Sequence, residues 1–203
     1  MQILIPFYSL YGHVYELAQA VAEGVEKAGG RPKLAFVQET FSPDILEKMH
    51  APAPEARGAH LPAPTPDDMV ASAGIIFGTP TRFGGMVAQM RAFLDRTGGI
   101  WAKQALSGKV GGVFTSTSTQ HGGQETTHFA FHTFMLHHGM LIAGTGFSYP
   151  SLFDVGTVHG GTPYGAGTLA GGDGSRRPSK EELGLARYQG EYITGFALKL
   201  AAG

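Results

Sequence analysis

Short apolar runs alternate with amphipathic segments along most of the chain. Five runs have the length and composition of buried strands, at residues 3–7, 34–37, 74–78, 110–114 and 140–143. Between them, apolar side chains recur every three or four residues, which is the spacing of a helix with one buried face. The alternation predicts a parallel sheet with helices on both of its faces.

Four helices are predicted around these strands. The first carries Val14, Leu17 and Val21 on one face and ends before Gly29 and Gly30. Others are expected over residues 84–96 and 125–138. A last helix opens at a capping box formed by Ser179 and Glu182. Its inward side chains are expected to be Ile193, Phe196, Ala197 and Leu200.

The fold class that fits this order is α/β, with a doubly wound, flavodoxin-like five-stranded parallel sheet in the order 2-1-3-4-5. Residues 1–203 are expected to form one domain. After the fifth strand comes the glycine-rich segment (residues 146–178), which is expected to be a loop-like insertion. Pro6 conflicts with this fold, because a proline in a central strand cannot donate a ladder hydrogen bond.

Composition excludes several classes of protein. There is no cysteine, so disulfides and thiolate sites are ruled out. A net charge of −1 argues against a nucleic-acid partner, which needs a basic surface. No apolar run reaches the roughly 18 residues of a membrane-spanning helix. A cytoplasmic protein is therefore expected.

Ligands of such a sheet bind beyond the carboxyl ends of its strands, which directs attention to three segments. The first joins strand one to the first helix and consists of Ser9, Leu10, Tyr11, Gly12, His13 and Val14. It lacks both a dinucleotide-binding GxGxxG and a P-loop lysine. Its hydroxyl, glycine and free helix-start amides suit a phosphate group. An ordinary turn capped by Ser9 is the alternative.

The other two segments are also polar and nearly uncharged. Thr81, Arg82 and Phe83 follow the third strand and could present amides and an aromatic edge to a flat ring. After the fourth strand comes the run Ser116, Thr117, Ser118, Thr119, Gln120 and His121. Many donors and acceptors without a counter-ion suit the pyrimidine side of a flavin. Turns and a flexible polar loop are the alternatives.

Five further residues bear on the chemistry. Trp101 is the only tryptophan and is expected either in the core or as a wall beside a bound substrate. His137 lies at the end of a predicted helix, where an imidazolium would also suit the helix dipole. His128 and His132 have a spacing of four, but with no third ligand no metal site is expected. Ser148 is not in a GxSxG elbow, which argues against a serine hydrolase.

Several longer motifs carry a family resemblance. The motifs are SLYGHV, GTPTRFGGM, TGGIWAKQALSGK, STSTQHGGQE, HHGM, GGTPYGA, AGGDGSRRPS and ARYQGEY. Together they resemble the WrbA family of NAD(P)H:quinone oxidoreductases. The match covers nearly the whole chain. The resemblance implies FMN as cofactor, NADH or NADPH as co-substrate, a quinone substrate and a homotetramer.

The resemblance also implies roles for the residues of the three segments. Residues 9–14 would hold the FMN phosphate, with Tyr11 near the nicotinamide nucleotide. Thr81, Arg82 and Phe83 would line the isoalloxazine ring, and residues 116–121 would contact its pyrimidine side and the ribityl chain. His137 would approach the flavin, and Trp101 would flank the substrate, with a neighbouring subunit as its possible source.

The mechanism implied is a ping-pong reaction in which hydride passes through flavin N5 to a quinone. His137 or Tyr11 could supply a proton to the quinone oxygen. Two alternatives remain. One is a one-electron carrier of the flavodoxin type, which would need an acidic surface that the chain lacks. The other is a non-catalytic FMN-binding interaction protein.

Overall fold

The computed structural model describes residues 1–202. Its strands are β1 (Gln2–Phe7), β2 (Arg31–Phe36), β3 (Gly74–Arg82), β4 (Gly85–Met86), β5 (Val110–Thr117), β6 (Leu141–Ile142) and β7 (Gly167–Leu169). Its α-helices are α1 (His13–Lys27), α2 (Pro43–Lys48), α3 (Pro54–Arg57), α4 (Pro66–Ala71), α5 (Ala88–Asp95), α6 (Gly98–Trp101), α7 (Gln124–His137) and α8 (Lys180–Ala202).

The central sheet is parallel and runs in the order β2-β1-β3-β5-β6. This confirms the doubly wound, flavodoxin-like order predicted from the apolar runs. β1, β3 and β5 are buried over most of their length, because helices cover both faces of the sheet. The carboxyl ends of these three strands therefore meet at one edge.

Pro6 is accommodated by a gap in one ladder. β1 pairs with β2 without interruption, including Pro6 opposite Ala35. Its pairing with β3 runs through Ile3 and Leu4 and resumes only at Phe7. The missing donor thus weakens the β1–β3 ladder locally while the strand keeps its place.

Two strands extend beyond the apolar runs that predicted them. β3 continues to Arg82, and β5 continues to Thr117. Their polar ends stay paired because Pro80 lies opposite Ser116 and the residues beyond pair with β4 and β7. β3 then turns back into β4 as an antiparallel hairpin. The helix expected from residue 84 consequently begins only at Ala88.

The glycine-rich segment departs from the expectation of a loop. Its strand β7 pairs in parallel with residues Thr115–Thr117 of β5, while β6 pairs with the opposite end of β5. The edge of the sheet beside β5 is therefore occupied by two short strands, β6 before the glycine-rich segment and β7 within it. A three-residue strand rich in small residues has no hydrophobic period, so the sequence pattern could not reveal it.

The last helix confirms its capping box, since Ser179 and Glu182 exchange both hydrogen bonds. Ile193 and Ala197 are buried as expected, but Phe196 and Leu200 are exposed and that prediction was wrong. α8 has 23 residues and is about 34 Å long. Its last turns pass beside the two-residue strand β6, which is too short to cover them.

Across residues 1–202, no helix combines the length and the apolar character that crossing a membrane requires. Within the same residues, no group of three or more histidine, aspartate or glutamate side chains is arranged to hold a metal ion.

Candidate active site

The three polar segments meet in one cleft at the carboxyl edge of the sheet. The cleft has a volume of about 100 Å³ and is open to solvent. Its lining consists of Ser9, Leu10, Tyr11, His13, Val14, Pro80, Thr81, Arg82, Ser116, Thr117, Ser118 and Ala170. Because β1, β3 and β5 are neighbours in the sheet, the fold itself brings these segments together.

The first segment, residues 9–14, is a rigid turn that opens helix α1. The Ser9 hydroxyl is buried and accepts from the amides of Gly12 (3.1 Å) and Tyr15 (3.3 Å). Gly12 has a φ of 93°, which favours glycine. The amides of His13 and Val14 lie in the first helical turn, where the helix supplies no acceptor. These amides and the positive end of α1 are suited to an anion.

Two arginines of the glycine-rich segment reach this turn. Arg177 donates to the Tyr11 carbonyl at 3.1 Å and forms an ion pair with Glu16. The backbone carbonyl of Arg176 lies 3.0 Å from Nε2 of His13. Burial and the Arg177 guanidinium lower the pKa of His13. A neutral His13 therefore donates its Nε2 proton to that carbonyl and leaves Nδ1 as an acceptor.

The second segment is the tip of the β3–β4 hairpin. Phe83 and Gly84 both have positive φ values, 52° and 78°, as a tight two-residue hairpin turn requires. Phe83 is completely exposed, although it is a large apolar side chain in a strained backbone conformation. Phe83 does not line the cleft itself, whereas its neighbours Thr81 and Arg82 do. Thr81 is fixed below it by the Thr127 hydroxyl at 2.9 Å.

The third segment divides into a fixed part and an exposed part. Ser116 and Thr117 lie in β5, are buried and line the cleft. Ser118 lines the cleft too but is exposed. Thr119, Gln120 and His121 extend outward from the lining and are exposed, and His121 has a φ of 54°.

His137 and Trp101 do not line this cleft and lie together elsewhere on the chain. α7 starts beside Thr117 and runs back to the opposite edge of the sheet, so its 14 residues place His137 about 20 Å from its start. Trp101 accompanies it, donating from its indole N–H to the His137 carbonyl at 2.9 Å. Both line a separate surface pocket, and Trp101 is about half exposed.

Sequence reasoning missed three contributors near the cleft. Pro80 and Ala170 line it, and Arg177 braces the first segment. A pair of consecutive arginines is a visible signal in a chain with only 15% charged residues. Nothing in the sequence marked Ala170, because its position depends on the pairing of β7 with β5. The Ala170 amide extends this pairing by donating to the Thr117 carbonyl at 2.8 Å.

The chain is similar to proteins of known families. A family model described as NADPH-dependent FMN reductase matches residues 10–152. The chain belongs to this family. The matched region of the NADPH-dependent FMN reductase family includes almost all of the three cleft segments.

Relatives within the family extend the match to the full chain. A protein of Geobacter metallireducens is 55% identical over 98% of this chain and 99% of its own length, and one of Geobacter sulfurreducens is 53% identical with the same coverage. Both are named NAD(P)H dehydrogenase (quinone). These matches confirm the resemblance to the WrbA family that the sequence motifs suggested.

Solved structures with the same fold share less sequence. A WrbA-like flavodoxin from Agrobacterium tumefaciens has a TM-score of 0.68 and 23% identity, covering 98% of each chain. A flavodoxin from the domain Archaea has a TM-score of 0.63 and 16% identity, covering 98% of this chain and 99% of its own. At these identities the likeness shows the flavodoxin fold.

The residues of the cleft fit an FMN molecule. One end offers helix-start amides and nearby arginine for a phosphate, with Gly12 keeping the turn tight. The other end offers Ser116, Thr117 and Ser118, whose hydroxyl groups are donors and acceptors without charge. Thr81 and the hairpin lie between these ends.

Proposed function

We propose that this protein is an FMN-dependent oxidoreductase that passes two electrons from NADH or NADPH to quinones. The observation that carries the proposal is the single cleft in which an anion-binding turn and two polar, nearly uncharged segments converge. The names of the 55% and 53% identical relatives support the same reaction. The proposed location is the cytoplasm, where nicotinamide nucleotides are available.

Each segment has a distinct proposed task. Residues 9–14 bind the FMN phosphate through helix-start amides and the Ser9-braced turn. The hairpin tip, with Thr81, Arg82 and Phe83, flanks the ring. Residues 116–121 contact the pyrimidine side and the ribityl chain. When bound, FMN supplies hydride acceptance and two-electron transfer, which the side chains of this protein cannot perform themselves.

Tyr11 is the proposed contact for the nicotinamide nucleotide and a candidate proton donor to the quinone. Its side chain is 40% exposed at the cleft wall, and its hydroxyl donates to the Met49 carbonyl at 3.1 Å. This bond holds the ring at the rim, where an incoming planar group can contact it. Replacement by Phe keeps the ring and removes the proton, so it separates the two tasks.

The test of the function is a visible spectrum recorded in one cuvette. FMN is added to the purified protein, then NADH or NADPH, then benzoquinone. We expect the flavin band to bleach with the nucleotide and return with the quinone. Binding without bleaching would instead favour a non-catalytic FMN protein, and absence of FMN binding would overturn the assignment of the cleft.

Gly12→Ala is expected to weaken FMN binding by about tenfold or more, or about 1.4 kcal/mol. A Cβ at this position would lie 2.7 Å from the Ala56 carbonyl oxygen and 3.0 Å from Arg177, so the turn must shift. Fluorescence titration of FMN measures the effect.

Gly29→Ala is the matched control. It also has a positive φ, but its Cβ would have no neighbour within 4 Å. It should cost about 1 kcal/mol of stability and leave FMN affinity unchanged. Equal affinity losses in both variants would show that backbone strain alone, and not the shape of the turn, controls binding.

We further propose that His137 and Trp101 serve the cleft of a neighbouring subunit in a homotetramer. Their distance from the cleft of their own chain and the exposure of Trp101 support this arrangement. Subunit exchange between the Gly12→Ala and His137→Ala proteins gives mixed tetramers. In these, a cleft with an intact turn, from the His137→Ala chain, can face an intact His137 from the Gly12→Ala chain. The mixture should then exceed the summed activity of its parents, and purely additive activity would contradict a shared site.

A further inference from the structure

A buried carboxylate outside the cleft connects the glycine-rich segment to the rest of the protein. Glu182 is 1% exposed and lies in the first turn of α8. It accepts from the amides of Gly160 (2.7 Å), Leu169 (3.2 Å) and Ser179 (2.7 Å). It also accepts from the Thr168 hydroxyl at 2.8 Å. One side chain thus holds three separate parts of the chain.

Arg176 completes this arrangement from within the segment. Its Nη1 lies 2.9 and 3.0 Å from the two oxygens of Glu182 and 2.6 Å from the Leu169 carbonyl. Its Nη2 donates to the Val158 carbonyl at 3.2 Å. A planar fork of donors is needed to reach these acceptors together, which a lysine ammonium on a flexible stem does not provide.

The contacts of Glu182 lead to both ends of the cleft. Thr168 and Leu169 lie in β7, opposite Ser116 and Thr117, which line the cleft. The backbone carbonyl of Arg176 accepts from His13, which lines the anion-binding turn. Displacing the carboxylate would therefore loosen the wall at the polar end and the turn at the other end.

The carboxylate is ionised at neutral pH. Burial alone would raise the pKa of Glu182, but the hydrogen bonds from Arg176, Ser179, Gly160 and Thr168 hold it below its usual value. An uncharged replacement therefore removes an interaction that is present under working conditions.

We propose that Glu182 and Arg176 are positioning residues that hold the glycine-rich segment against the cleft, so that FMN affinity depends on a carboxylate that lines no part of it. The inference rests on the proposed binding of FMN. Glu182 acts through the backbone of β7 and through the Arg176–His13 contact.

The experiment compares Glu182→Gln with wild type in the full-length protein. The amide keeps the size of the side chain but turns one acceptor into a donor that faces other donors. We expect the FMN dissociation constant to rise about tenfold or more. We also expect faster tryptic cleavage after Arg176 in the FMN-free protein. Arg176→Lys should raise the dissociation constant in the same direction.

Two controls separate positioning from general loss of stability. Glu191 lies on α8 like Glu182 and forms an exposed ion pair with Lys27 of α1. Glu191→Gln breaks this pair and should change neither the FMN dissociation constant nor the rate of cleavage. Ile193→Val should lower Tm, because Ile193 is fully buried and loses a methyl group, and should leave FMN affinity unchanged. Restoration of affinity by Glu182→Asp, even in part, would support a requirement for charge.

The outcomes distinguish the inference from the proposed function. An unchanged dissociation constant in Glu182→Gln, with wild type binding FMN, overturns the inference whether or not cleavage accelerates. If wild type binds no FMN, the proposed function is wrong. In that case, an unchanged rate of tryptic cleavage in Glu182→Gln would overturn the inference that Glu182 fixes the glycine-rich segment, and faster cleavage would support it.

Discussion

Gly190→Ala is expected to lower the stability of the protein by about 3 kcal/mol, at the upper end of the usual cost of overpacking. Gly190 lies on α8 where that helix crosses α1, and a Cβ there would be 2.1 Å from the Val21 carbonyl oxygen. Gly24 on α1 has the reciprocal relation, with a Cβ only 1.9 Å from the Arg187 carbonyl oxygen. The two helices therefore touch backbone to backbone, and an added methyl group must push them apart.

Gly195→Ala on the same helix should raise the stability of the protein. Its Cβ would meet nothing within 4 Å, so the better helix propensity of alanine should add about 1 kcal/mol. Thermal unfolding followed by circular dichroism measures both variants. For a chain of this size we expect Tm to fall by about 6–12 °C in the first and to rise by about 2–4 °C in the second. Two shifts of the same sign would contradict the close crossing.

The sequence pattern predicts the central sheet well because buried parallel strands are continuous apolar runs. It underestimates β3 and β5, since their largely polar carboxyl ends remain paired as far as Arg82 and Thr117. These strand ends line the cleft, so polarity there reflects the cleft and not a turn. Hydrophobic periodicity cannot separate those two causes.

The other differences arise from tertiary contacts. β7 exists because three consecutive residues find a partner in the end of β5. Phe196 and Leu200 have the spacing of a buried face, yet they lie beside the two-residue strand β6, which leaves both of them exposed. The proposed roles of the site residues remain predictions, although the three cleft segments do meet. The position of His137 depends on the direction of α7, which spacing alone does not reveal.

His128 makes the stability of the protein depend on pH. Its imidazole is fully buried between α7 and the glycine-rich segment, with Nδ1 3.3 Å from the Thr162 hydroxyl. Burial, with a smaller contribution from His132, lowers its pKa to about 3. The unfolded chain takes up a proton near pH 6.5, whereas the folded chain resists it until about pH 3. The contribution of His128 to the free energy of unfolding is therefore fully present above pH 6.5 and is lost as the pH falls toward 3. The limiting slope of this loss is about 1.4 kcal/mol per pH unit.

His128→Leu should flatten this dependence, because the unfolded chain then has one proton fewer to gain. The Thr162 hydroxyl keeps the Gly165 carbonyl as an acceptor at 3.4 Å, so the replacement leaves it with a partner. Urea unfolding between pH 7 and 5 isolates the histidines from the carboxylates, which titrate lower. His132→Leu should change the slope less, since that ring is only half-buried although burial lowers its pKa too. Equal changes from the two substitutions would show that depth of burial does not set the slope.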